Sequence, residues 1–314
     1  MKIRLIIQTT IFLLLVTQLT YGEPQNNNLN GSGNITADSP QFKSYWYSGK
    51  AEITSYKLEQ ARYGELHSGY SVLVFVTEDF SEQKHVKLDS PERAGSDRVK
   101  ILKLNRIKKF DTGIYRYSMM DSVFTPVDIN RHPNTLKVSS SSQEWCGNTF
   151  NQLNLKNGGY EVESYSYFES EGDRNFDLEK EFLEDELWTR IRIDPSSLPQ
   201  GEIKLIPGTM ASRLTHRELS VQTAHAALTQ NAGDPALMNY KLSYPGSGRS
   251  MLITFDKEFP YEIVSWEESY KSGFGENARE LTTRATLQKT IVTDYWNKHS
   301  PPDRVLREQL GIYN

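Results

Sequence analysis

The chain has one cysteine, Cys146, among 314 residues. A lone thiol cannot form an intramolecular disulfide, so the fold must rest on its core. Long apolar runs are also missing: beyond Val16 no segment approaches the roughly 20 apolar residues that span a bilayer. There is no basic excess. Lys and Arg number 36 against 40 Asp and Glu, with the signs mixed along the chain, which argues against a nucleic-acid partner. No phosphate-cradling glycine loop, GxSxG elbow, HExxH helix or Cys/His zinc cluster occurs. The sequence therefore points to no cofactor, no metal and no catalytic residue.

The chain opens with a charged and greasy start. Lys2 and Arg4 precede an apolar stretch from Leu5 to Val16, and Thr20-Tyr21-Gly22 ends on a small residue. This is the pattern of a secretory signal over residues 1–22. Removing it leaves 34 basic residues against 40 acidic ones, a net of −6. With no cysteine near the cleavage point to carry a lipid, the expected location is the periplasm or the exterior, with no integral membrane segment in the mature chain. Residues 23–41 are rich in Asn, Gly, Ser and Pro, a flexible linker composition. They include the sequon Asn34-Ile35-Thr36, which carries weight only in a eukaryotic secretory path.

From Phe42 a two-residue hydrophobic rhythm begins. Ala51 and Ile53 share one face and Tyr56 and Leu58 the other, which predicts a bulge between them. Val72 to Val76 is continuously apolar, as in a strand buried on both faces. Further strands are expected over 84–88, 99–104, 114–124 and 160–168, with 134–142 and 144–155 as a hairpin. One amphipathic helix is expected from about Leu178 to Arg192, capped by Asp177, with Leu178, Phe182, Leu183, Leu187 and Ile191 on one stripe. Strands return over 202–206, 214–227, 238–244, 251–255, 261–266 and 281–295, and a short helix follows Pro302. VLVFVTEDF (72–80) and MLITFDKEF (251–259) share an apolar run, a charged turn and a closing Phe. Similar hairpin chemistry accounts for them better than an internal repeat.

The predicted fold class is thus mainly β. Antiparallel sheets, half-barrel or sandwich-like, form two adjoining strand-rich halves (42–176 and 194–314) around one packed amphipathic helix (177–193). Tyr115, Tyr117, Met119, Met120 and Trp145 are candidates to line an adaptable apolar pocket. Cys146 is expected to be a buried small hydrophobe rather than a nucleophile. Asp173, Asn175, Asp177 and Glu184 fall at calcium-loop spacing, but Leu178 stands where the loop needs Gly. Glu267 and Glu268 are adjacent, so a strand would point them to opposite sides.

Five strings, SGKAEITSYKLEQARYGEL (48–66), GIYRYSMMDSVFTPV (113–127), QEWCG (143–147), SYFESEG (166–172) and WEESYKSGFG (266–275), resemble a group of exported bacterial envelope proteins. That group commonly carries the automatic label "septum formation inhibitor Maf", and the resemblance covers most of residues 42–311. It implies export and no particular activity. The LASxSPRR-like motif of the nucleotide pyrophosphatases that share the label is absent, so that activity is not expected. The leading functional expectation is non-catalytic binding of an apolar or envelope-derived ligand, such as a lipid. The alternatives are an envelope hydrolase using Glu144, Cys146, Glu169 or Glu267, and a structural module that binds an envelope protein.

Overall fold

The computed structural model describes residues 37–312, so the expected signal and most of the expected linker lie outside the described residues. Structure begins within the last residues of that linker. Helix α1 (Pro40–Trp46) starts on a proline, and the Ser39 hydroxyl accepts from the Phe42 N–H at 3.2 Å. Both features favour a helix start. Its Phe42 and Trp46 side chains are buried.

Sixteen strands then form one sheet. In the first half they are β1 (Ala51–Arg62), β2 (Glu65–Ser81), β3 (Val86–Lys87), β4 (Arg98–Thr112), β5 (Tyr115–Pro126), β6 (Lys137–Glu144), β7 (Gly147–Lys156), β8 (Gly159–Ser166) and β9 (Arg174–Glu179). In the second they are β10 (Phe182–Leu183), β11 (Gly201–Ile206), β12 (Gln222–Gln230), β13 (Leu237–Tyr244), β14 (Arg249–Asp256), β15 (Ile263–Ser272) and β16 (Arg279–Thr293). Pairing is antiparallel except between β10 and β11. The two halves join where β1 pairs with β16. The sheet is not closed: β9 and β10 are its two ends, and only Lys180 and Glu181 separate them along the chain. Across that seam the Lys204 ammonium lies 3.8 Å from the Glu179 carboxylate.

The sheet curls because it packs around a helix. Every residue of α2 (Leu187–Ile193) is buried. Its side chains reach strands far apart in the sheet. Arg192 pairs with Glu52 on β1 and lies over the Phe75 ring on β2. Arg106 on β4 lies over the Trp188 ring at 4.1 Å. Thr189 hydrogen-bonds Thr125 on β5 at 2.6 Å, and Trp188 meets Trp266 on β15 edge-on at 6.3 Å. A flat sheet could not bring these strands to one seven-residue helix.

This helix is shorter than the expected one. Residues 174–179 form β9, with Phe176 and Leu178 partly buried and Asn175, Asp177 and Glu179 exposed. The helical turn begins only at Glu184, where the Glu186 side chain reaches back to accept from the Leu183 N–H at 3.0 Å. The stripe assigned to one helix therefore mixes strand and helix residues. It also carries no calcium loop: Asn175 and Asp177 lie on a strand and Glu184 is buried against Arg249.

The expected strand over 214–227 is corrected too. Helix α3 (Thr209–Thr215) occupies its start, and β12 begins at Gln222. The Asp185 carboxylate accepts from the Thr209 N–H at 2.9 Å, so a residue distant in sequence supports this helix start. The predicted bulge is present, with the β1–β16 register shifting between Ser55 and Tyr56. The apolar run of β2 is covered on both sides. Leu73 and Phe75 join the interior, while Val72, Val74 and Val76 pack with Leu310 and Ile312 beyond α4 (Val305–Gln309). The charged part of 72–80 is not a turn: Glu78 and Asp79 stay in β2, paired to Lys103 and Lys100.

Charge enters this core at inward strand positions. Arg106 and Lys108 on β4, Asp121 on β5, Arg249 on β14 and Glu268 on β15 are all buried, as are Glu184 and Asp185 of the turn before α2. Arg106 pairs with Asp121 and Asp185; Lys108 and Arg249 share Glu268; Arg249 also holds Glu184. Burial raises the carboxyl pKa of Glu268, but Lys108, Arg249 and Arg106 outweigh it and hold the group at about 2. Burial and the charge of Asp121 push Asp185 the other way, to about 7. Four acids thus face three bases, and this surplus of negative charge helps Asp185 to hold a proton more tightly than a free carboxylate does.

Candidate functional site

In an antiparallel meander, alternate connections fall at the same end. One end of this sheet carries the β1–β2, β4–β5, β6–β7, β8–β9, β13–β14 and β15–β16 connections, together with the segment after α3. We term it the mouth. Large apolar side chains stand exposed there on four separate connections: Ile114 at 81%, Trp145 at 71%, Tyr167 at 67% and Phe274 at 62%.

Rings link three of these tips, Trp145, Phe274 and Tyr167, into a collar. Trp145 lies 6.3 Å from Tyr115, whose hydroxyl donates to the Tyr63 hydroxyl at 2.9 Å. Tyr63 lies 6.4 Å from Phe274, Phe274 6.1 Å from His216, and His216 5.3 Å from Phe168, which abuts Tyr167.

Beneath the collar sits Arg62, only 4% exposed. No carboxylate pairs with it among the described residues. Its guanidinium donates to the Leu214 carbonyl at 2.5 Å, to the Tyr117 hydroxyl at 3.1 Å and to the Tyr63 hydroxyl at 3.4 Å, and lies 3.3 Å from His216 Nε2. His216 Nδ1 lies 2.7 Å from the Glu171 carboxylate, so the tautomer that fits carries its proton on Nδ1. Arg213 bridges onward from His216 to Glu144, 3.6 Å away.

Two of these residues hold costly backbone conformations. Tyr63 and Gly64 form the two-residue β1–β2 turn, with φ of 56° and 81°. Such turns favour Asn-Gly. Gly64 is required, because a Cβ there would meet the Asn277 carbonyl oxygen at 2.3 Å. A tyrosine in the left-handed region is uncommon. His216 ends α3 at φ 51°, where Gly is usual. Both contact Arg62, and backbone strain of this kind gathers at functional sites. Burial raises the Tyr63 pKa, but hydrogen bonds from Tyr115 and Tyr117 and the charge of Arg62 outweigh it, leaving the phenol below its ordinary value.

Two cavities flank α3. The first, 280 Å³, lies between β7, β8, β9 and the segment after α3, and is lined by Thr149, Asn151, Ser164, Glu171, Arg213 and His216 among others. The second, 180 Å³, lies under Phe274 and is lined by Arg62, Leu214, Arg217, Ser247, Arg249 and Lys271 among others.

Of the residues expected from sequence, Tyr115, Tyr117 and Trp145 come together at the mouth. Met119 is buried in the core, and Met120, next along β5, lies on the opposite face, partly exposed. Cys146 is exposed, which corrects the expectation of burial. It sits in the two-residue turn between β6 and β7, where the sheet cannot cover it. Its N–H donates to the Glu144 carboxylate at 2.7 Å. The thiol's own hydrogen bond to Glu144, and the charge there, raise its pKa and oppose thiolate formation. Glu169 is an exposed turn residue. Glu267 pairs with Arg284 at 3.1 Å, both exposed, while its neighbour Glu268 points inward. Among the described residues no group of three or more His, Cys, Asp or Glu side chains could hold a metal ion.

Sequence reasoning missed Arg62, Tyr63, Glu171, Arg213 and His216. The one local signal was Tyr63-Gly64, a bulky residue in a two-residue turn between strand patterns.

No family model matches this chain, and no curated protein matches it. A solved structure described as a β-barrel-like protein of domain of unknown function DUF1849, from Brucella abortus, aligns over 78% of this chain and 98% of its own, at 10% identity and a TM-score of 0.44. That degree of likeness assigns no function. The class defined by the coordinates is an open, antiparallel β sheet curled around a buried helix.

Proposed function

We propose that the chain is an exported, non-catalytic binding protein whose mouth holds an amphipathic, envelope-derived molecule. The observation that carries this reading is the pairing of a polar cavity with four exposed apolar tips on separate turns at the same end. Single exposed hydrophobics are ordinary, whereas a contiguous apolar rim beside a cavity is a feature of binding surfaces. Tyr and Trp suit a boundary with one apolar and one wet side. The interior is filled by α2 and its ion pairs, so the ligand's apolar part belongs on the collar rather than inside the sheet. Ligand pockets for whole small molecules run from about 300 Å³ upward, so the two cavities flanking α3, 280 Å³ and 180 Å³, suit a polar head group rather than a whole ligand.

Lys2, Arg4 and the apolar stretch after them support export to the periplasm. Among the described residues no helix is long and apolar enough to cross a membrane. Native mass spectrometry of gently purified protein tests the reading. An amphiphile should accompany the wild type and be lost from a Trp145→Ser/Phe274→Ser variant. A clean apo spectrum, with no uptake of a fluorescent amphiphile, would refute it.

A further inference from the structure

We propose that the cleft between α3 and the β15–β16 turn, beneath Phe274, is a subsite for a phosphate-type oxyanion, the charged head of the ligand held at the mouth. The inference rests on the reading of the mouth as an amphiphile site and names the head group.

The lining carries the argument. Arg62, Arg217, Arg249 and Lys271 border the cleft and no carboxylate does. Arg249 is already neutralised from the core side by Glu184 and Glu268, although its Nε has no partner. The other three cations have no carboxylate partner among the described residues. Arg217 and Lys271 are exposed at the entrance and Arg62 is buried in the wall.

A buried guanidinium satisfied only by neutral groups, here two phenols, a carbonyl and an imidazole nitrogen, keeps its full charge. Burying such a charge is costly unless a counter-charge arrives. Three uncompensated cations call for more than a single negative charge, which favours a phosphate dianion over a carboxylate. Ser247, Ser272 and Gln222 supply further hydrogen-bond groups. At 180 Å³ the cleft has room for a head group and not for an acyl chain, while Phe274 at its lip belongs to the collar. One molecule can therefore place its charge in the cleft and its apolar part against the rings.

Calorimetric titration of the mature chain (residues 23–314) tests this, with inorganic phosphate, glycerol phosphate, and vesicles of phosphatidylglycerol or phosphatidylcholine as probes. Saturable binding of the phosphate probes is expected. It should weaken about tenfold or more in Arg217→Gln/Lys271→Gln, as when charge-assisted hydrogen bonds are lost. Both residues are exposed and unpaired, so the variant should melt like wild type. Equal affinity for inorganic phosphate and glycerol phosphate assigns the site to free phosphate. Preference for phosphatidylglycerol vesicles over phosphatidylcholine assigns it to a lipid head group. Failure of every phosphate probe, or unchanged affinity in the variant, overturns the subsite; if a neutral amphiphile still binds, the reading of the mouth survives. Phosphate binding without uptake of any amphiphile overturns the mouth reading and leaves the anion site standing.

Discussion

Replacing Glu268 by Gln should destabilise the protein at neutral pH and do so much less in acid. The carboxylate sits between Lys108 at 2.9 Å and Arg249 at 3.3 Å, all three buried. Its pKa in the fold is about 2 against an ordinary 4.5. At about 1.4 kcal/mol per pH unit, that difference corresponds to about 3 kcal/mol. The sign follows from proton counting. The depressed pKa means that the unfolded chain takes up this proton first as pH falls. The stabilisation is therefore complete above pH 4.5 and is lost as pH drops towards 2. In the variant that pH dependence is missing, and two buried cations lose a shared counter-charge. For a chain of this size, about 3 kcal/mol corresponds to a fall in Tm of roughly 6–12 °C. Thermal melts of both proteins at pH 7 and pH 3 measure it. The gap should narrow sharply at pH 3. A gap of equal size at both pH values, or less than about 1 kcal/mol at pH 7, refutes the reasoning.

Asp185 should show the opposite slope. Its pKa is raised from 3.8 to about 7, so the folded state holds the proton more tightly, and stability falls as pH rises from 4 to 7. Urea titrations across that window should give Asp185→Asn a flatter profile than wild type, whatever its absolute stability; parallel profiles contradict the assignment. Cys146 should alkylate completely in the native protein, since it is exposed, but more slowly at pH 7.5 than in Glu144→Gln, where the neighbouring charge is gone. A thiol reached only in urea counts against this geometry. Trp188→Ala should cost about 3–5 kcal/mol, the range for truncating a buried aromatic, because Trp188 packs on Trp266 and Arg106. A loss under about 1 kcal/mol in denaturant melts would show that α2 does not organise the core.

Where the chain obeys one local rule at a time, its fold can be read from the sequence. The unbroken apolar run of Val72–Val76 announced a strand covered on both faces, and the switch of face between Ile53 and Tyr56 announced the bulge. The 178–192 region misled because Leu178, Phe182, Leu183, Leu187 and Ile191 satisfy a helical spacing while being divided between β9, β10 and α2. The start of α3 was hidden because the carboxylate that supports it comes from Asp185. Inward charges were hidden for a related reason. On β4, Arg106 and Lys108 occupy core positions in a stretch where Lys100, Lys103 and Lys109 do not, and only partners on β5, β14 and β15 explain the difference. The mouth was half legible. Tyr115, Tyr117 and Trp145 lie on consecutive hairpins, but His216, Glu171 and Arg62 meet only once the sheet curls.

The pairing of β1 with β16 sets Ala51 against Thr293 and Glu59 against Arg284. The central ladder thus joins the first and last strands of the described chain. Until β16 (Arg279–Thr293) is present, β1 has a strand neighbour on one flank only. Contacts this remote in sequence slow folding because the loop must close before it is rewarded. Joining the two halves is therefore a long-range step that neither half can complete alone.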